Sequence, residues 1–93
     1  MTKHRKRPVV IEAVRYTGDN GNDIWNWVQE SAPGTLRCLD ADRDFRGQPK
    51  ILEIKTLDGT MIANVGDWIV KGVKGEFYPV KNDVFLATYE IVG

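Results

Sequence analysis

At 93 residues the chain has room for a single hydrophobic core, since a domain this small buries only about 60% of the surface its unfolded form exposes. Hydrophobic residues at 42% and charged residues at 28% exclude disorder and a fibre in favour of a packed globule. The net charge is zero but uneven: Lys3, Arg5, Lys6 and Arg7 make residues 1–8 a basic arm, and the remaining nine basic side chains face thirteen acidic ones, leaving −4 on the single domain expected over residues 9–93.

The lone cysteine, Cys38, excludes an internal disulfide and a four-thiolate zinc site and fits a reducing compartment. No apolar run approaches the roughly 20 residues of a membrane span, and the basic N-terminus lacks the apolar segment of a secretory signal. A cytoplasmic location without membrane insertion is the expectation.

After the arm, the β-branched run Val9–Thr17 reads as a strand, and its apolar character on both faces suggests an interior one. The turn formers "GDNGND" then offer Asp19 or Asn22 as the cap of a helix through "DIWNWVQESA". At about 100° per residue Val28 falls some 40° from Ile24, with Trp25 about 100° to one side and Trp27 about 60° to the other, so the buried stripe carries a Trp on each flank. "APG" ends it, "TLRCLD" predicts a short strand with Leu36 and Cys38 on one face, and Ala41–Pro49 predicts a polar loop whose one large apolar residue is Phe45.

In "ILEIKTLDGTMIANV" the Asp58-Gly59 pair suits a type I′ turn. Pairing Leu57 with Thr60 then sets Ile54 opposite Ala63 and Leu52 opposite Val65, with Leu52, Ile54, Thr56, Met61, Ala63 and Val65 on one face. Gly66-Asp67 predicts a bend, "WIVKGV" an outgoing strand, Lys74-Gly75 a turn and "EFYPV" the return, with Pro79 requiring an edge or a bulge. Asn82 or Asp83 can cap one helical turn over Val84, Phe85 and Leu86, followed by "ATYEIV" as a closing strand, although periodicity leaves helix or strand open there. The fold class is therefore α+β: a twisted, mainly antiparallel sheet of about five or six strands, able to curl into a partly open barrel, with one main amphipathic helix and a short C-terminal helical turn.

Catalytic sets are thin. His4 is the only histidine and lies in the arm, where Cys-His or Ser-His chemistry would need the arm to dock. "GDWIVKG" pairs Gly with Lys but lacks the phosphate-loop pattern, and a strand follows it where a helix would have to start. Asp40, Asp42 and Asp44 alternate as in a calcium loop, without its sixth-position glycine or closing glutamate. Asp67, at a tight bend, suits an Asx-type structural role. No catalytic residue, metal or cofactor is expected, and the chain reads as a non-enzyme.

The blocks "RKRPVVIEAVRYTGDN" and "LDGTMIANVGDWIVKGVKGEFYPVKNDVFLATYE" resemble a widespread group of small, largely uncharacterised proteins of tailed bacteriophages and prophages, while the segment Pro33–Pro49 adds nothing to the likeness. Members of that group often carry Tyr at the place of Trp68, Cys at that of Val80 and Pro at that of Asn82, which argues against an obligatory thiol in the hairpin. The resemblance brings no catalytic set and implies an accessory factor acting inside a bacterial host.

Three functions compete. The leading one is binding of a host bacterial protein, with aromatic contacts among Trp25, Trp27, Phe45, Trp68 and Tyr78 and with Asp67 beside them. A small-ligand or nucleotide binder would combine such aromatics with Lys71, Lys74 and Lys81. Nucleic-acid binding through Lys3, Arg5, Lys6 and Arg7 is disfavoured by the acidic body. Exposed sheet edges could also support a homodimer.

Overall fold

The computed structural model describes residues 1–3, 9–37, 43–44 and 46–92. Its elements run β1 (Glu12–Arg15), α1 (Gly21–Ser31), β2 (Leu36–Arg37), β3 (Ile51–Thr56), β4 (Gly59–Asn64), β5 (Trp68–Lys71), β6 (Phe77–Val80) and α2 (Asn82–Thr88). The α+β class is as the sequence predicts. The strands divide between two antiparallel three-stranded sheets, β1-β5-β6 and β2-β3-β4, with no closed barrel among the described residues.

The core lies between the inner faces of the two sheets and α1. Leu36, Leu52, Ile54 and Ala63 come from one sheet, Ile69 and Phe77 from the other, Ile24 and Val28 from the helix, and Tyr16 from the end of β1. Full burial of aliphatic and aromatic side chains such as these contributes about 1.5–3 kcal/mol each, the main force holding the layers together.

Helix α1 buries Ile24 and Val28 as its stripe predicts, and both tryptophans pack against the core from the flanks. Its N-cap is Asn20 and not Asp19 or Asn22. The Asn20 side chain does not cap the helix; it accepts from the Thr17 amide at 2.9 Å and donates to the Arg15 carbonyl at 2.7 Å, fastening the strand-to-helix turn. The first helical residue must be small, because a Cβ on Gly21 would overlap the ring of Pro49, whose carbonyl also accepts a hydrogen bond from the buried Tyr16 hydroxyl.

The β3–β4 hairpin sorts its faces as expected in a register two residues away from the predicted one. Thr56 pairs with Gly59, Ile54 with Met61 and Leu52 with Ala63. Leu57 and Asp58 keep negative φ and only Gly59 is positive, at 116°, so the tip is not the type I′ turn expected of Asp58-Gly59. A shift of two preserves alternation, which is why Leu52, Ile54 and Ala63 are still buried. Met61 and Val65, predicted on the same buried face, are 43% and 53% exposed: the first lies near the open tip and the second in the turn after β4.

Two further expectations are corrected. Val9–Thr17 is not an interior strand; β1 covers Glu12–Arg15 at the edge of its sheet, and Val9 and Val10 are exposed. Its partner β5 stops at Lys71 and the chain enters the turn closed by the Gly75 amide on the Gly72 carbonyl, so the ladder to β1 ends at Glu12. The inner face of β1 packs Val14 against the core, while its outer face borders a groove shared with Leu86 of α2 and with Tyr89, the residue after it. The closing strand "ATYEIV" is absent as well: the amide of Tyr89 bonds the Phe85 carbonyl, carrying the helical pattern onward, and Ile91 and Val92 are exposed.

Candidate functional site

The bend between β4 and β5 is built on Asp67, 6% exposed. Its carboxylate accepts from the Asn64 amide at 2.9 Å and from the Lys81 ammonium at 3.1 Å, while its own amide returns a bond to the Asn64 carbonyl at 3.0 Å. This is a turn-holding carboxylate with a cation attached, as the structural reading of Asp67 expects. Lys81 thereby pairs with the bend carboxylate while its side chain stays 62% exposed.

Strand alternation separates the other candidates. Trp68 and Tyr78 lie on the face of β5 and β6 turned to α2, whereas Lys71 and Phe77 lie on the core side. The Trp68 indole N–H donates to the Asn82 side-chain carbonyl at 2.9 Å, and the ring stacks on Phe85 at 4.0 Å, with Tyr89 next to Phe85 at 5.0 Å. The rings fasten a seven-residue helix that buries no residue fully. On the other face, Lys71 donates to the Ser31 hydroxyl at 3.2 Å and Trp27 meets Phe77 edge-on at 5.1 Å. Lys74 is exposed in the β5–β6 turn, where its amide bonds the Glu76 carboxylate. The described residues among those proposed from sequence are therefore divided between the two faces of the sheet, the β4–β5 bend and the β5–β6 turn. Phe45, Arg5, Lys6 and Arg7 lie outside the described residues, and Lys3 is exposed.

The loop after β2 shows what one of the alternating aspartates does. Asp44 accepts from the amides of Arg46 and Gln48, and the Arg46 guanidinium bridges Asp44 and Asp19. Desolvation pushes the Asp44 carboxyl up, but the two amides and the Arg46 charge outweigh it and hold its pKa below the usual value. Asp40 and Asp42 lie outside the described residues. Among the described residues no cluster of His, Cys, Asp and Glu is arranged to hold a metal ion.

A concave site forms where the two sheets part. It is a groove of about 660 Å³ between the β3–β4 tip, the end of α1 and the start of β6. Ala32, Met61 and Phe77 make its apolar lining, and Leu57 stands at the tip, fully exposed. Lys55, Asp58 and Glu76 supply charges of both signs at the mouth. Tyr78 closes one end; burial and its hydrogen bond to Tyr89 push its phenol up to about 12, so it stays a neutral donor throughout the physiological range. Among the described residues proposed from sequence, Tyr78 alone lines this groove. Pairing Leu57 with Thr60 hides this exposure, although a leucine in the turn "TLDGT", where polar residues are usual, signals it.

No family model, curated protein or solved structure matches the chain. Among the described residues no helix is long and apolar enough to cross a membrane.

Proposed function

We propose that the chain is a phage-type accessory protein that acts without catalysis by binding a host bacterial protein, and that the groove beneath Leu57 receives the partner. The observation that carries this reading is the fully exposed Leu57 beside an apolar groove whose mouth holds Lys55, Asp58 and Glu76. A large apolar residue held in water at a turn tip gains nothing for folding, while an apolar centre ringed by polar groups is the usual composition of a protein interface. The resemblance of the two sequence blocks to phage proteins supports the bacterial setting. The mixed charge suits a polypeptide better than a phosphorylated ligand, and the ammonium groups of Lys71 and Lys81 are bonded to Ser31 and Asp67.

Capture from lysate of a natural bacterial host tests this, comparing the wild type with Leu57→Asp. The proposal expects a protein retained by the wild type and lost with the variant while both melt at the same temperature. Equal retention by the two would remove the groove from the account.

A further inference from the structure

The turn between β1 and α1 sets side by side two residues that can react with each other. Of the five asparagines in the chain, Asn20 alone is followed by glycine. The nitrogen of a following residue can attack an asparagine Cγ and close a five-membered ring, and glycine, with no Cβ, obstructs that attack least. Both members of the pair are fixed by the fold. The Asn20 carboxamide accepts from the Thr17 amide at 2.9 Å and donates to the Arg15 carbonyl at 2.7 Å, a combination an ionised carboxylate cannot make. Gly21 is held as glycine by the ring of Pro49, which a Cβ would overlap.

The same fold keeps the reaction from starting. Substituents on Cα lie about 120° apart, so ring closure needs the Gly21 nitrogen eclipsed with the Asn20 Cβ, at a ψ near −120°. Asn20 has a ψ of 16°, which turns that nitrogen about 140° away from Cβ. Two sets of bonds hold it there: the contacts with Thr17 and Arg15 fix Cγ, and the Asn20 carbonyl accepts the first helical bond, from the Ile24 amide at 3.0 Å. Rotation to the reactive ψ swings the carbonyl away and breaks that bond.

We propose that Asn20-Gly21 is a spontaneous modification site that the β1–α1 turn keeps closed and that reacts when the turn opens. The Gly21 nitrogen gives up its proton to solvent and bonds Cγ, the Cγ–Nδ2 bond breaks, and ammonia leaves. Water then splits the cyclic imide at either carbonyl, leaving an aspartate at position 20 or its β-linked isomer. In the first product an anionic oxygen replaces the donor that faced the Arg15 carbonyl; in the second, an extra methylene enters the main chain beside the Pro49 contact. Neither rebuilds the turn, so the change is one-way. Because α1 delivers Ile24 and Val28 to the core, a modified chain opens more readily than the original. None of this involves the groove beneath Leu57.

Peptide mapping by mass spectrometry tests this on the full chain, held in mildly alkaline buffer with and without denaturing urea. Conversion of Asn20 to the two acidic products is expected to be at least ~10-fold faster in urea, since native protection reflects the rarity of the open turn. In urea Asn20 should also convert ahead of the other asparagines, and Gly21→Ala should slow it, identifying the Gly21 nitrogen as the attacking atom where folding plays no part. Asn20→Asp, which carries the normally linked product, should unfold at a lower temperature than the wild type; the rate comparison itself needs no variant. Equal conversion in buffer and urea, no conversion in urea, or an Asn20→Asp variant that melts with the wild type would each overturn the proposal.

Discussion

Replacing Asp67 with alanine tests whether this carboxylate is a structural member of the fold. The substitution strands the Asn64 amide at a part-buried position and releases Lys81. A hydrogen bond to a charged acceptor contributes about 1.5–3 kcal/mol, and the Lys81 pair, whose cation is 62% exposed, adds about 0–1 kcal/mol after screening. The expected loss is about 1.5–4 kcal/mol, a large fraction of the roughly 5–14 kcal/mol that stabilises a domain of this size. At about 4–8 °C per kcal/mol, the midpoint should fall by at least ~6 °C. Asp67→Asn keeps an acceptor for the amide and should lose only about 1 kcal/mol. Thermal unfolding followed by circular dichroism reads both. If the alanine variant melted within ~2 °C of the wild type, the carboxylate would not be holding the bend and the reasoning from burial and bonding would be wrong.

Three other predictions follow from packing and charge. Gly21→Ala should destabilise by about 1–3 kcal/mol, because the rigid Pro49 ring cannot yield, despite the ~1 kcal/mol that alanine gains in a helix; at Gly72 the obstacle is the flexible Glu76 carboxylate, so Gly72→Ala should cost about 1 kcal/mol or less, as chemical denaturation would show. Phe85→Ala should remove the stack on Trp68 and speed amide exchange in α2 while leaving α1 protected, as hydrogen-exchange NMR would show. The raised Tyr78 pKa means that the unfolded chain ionises first, near 10, so its contribution is complete below that pH and is lost as pH rises toward 12. The loss is well under the roughly 3 kcal/mol that two pK units represent, since the phenol is partly solvated. The difference in unfolding slope between wild type and Tyr78→Phe over this range measures it.

Features fixed by local chemistry were legible in the sequence. The stripe of Ile24 and Val28 and the sorting of Leu52 and Ile54 follow from periods of 3.6 and 2, which survive a two-residue error in register. The length of β1 was not legible, because it depends on where β5 stops, and a two-sided apolar run looks alike at a centre and at an edge. Residues 83–89 held both readings until Phe85 and Tyr89 came to one helical face beside Trp68. Trp27 and Trp68 each stay half-buried while packing on Phe77 and Phe85, and Leu57 acquires its exposure from the turn that carries it. Lys81 was weighed as a ligand cation because its partner Asp67 lies fourteen positions away and meets it only through the β5–β6 hairpin.

The proposed groove is tested most directly by a photo-reactive amino acid placed at Leu57 and, separately, at Ile62, which lies on the outer face of the same hairpin and is 43% exposed. After irradiation inside host cells, the account predicts a discrete adduct with one host protein from position 57 and none from position 62. Equal labelling from both positions, or no adduct from 57 in a folded protein, would contradict it.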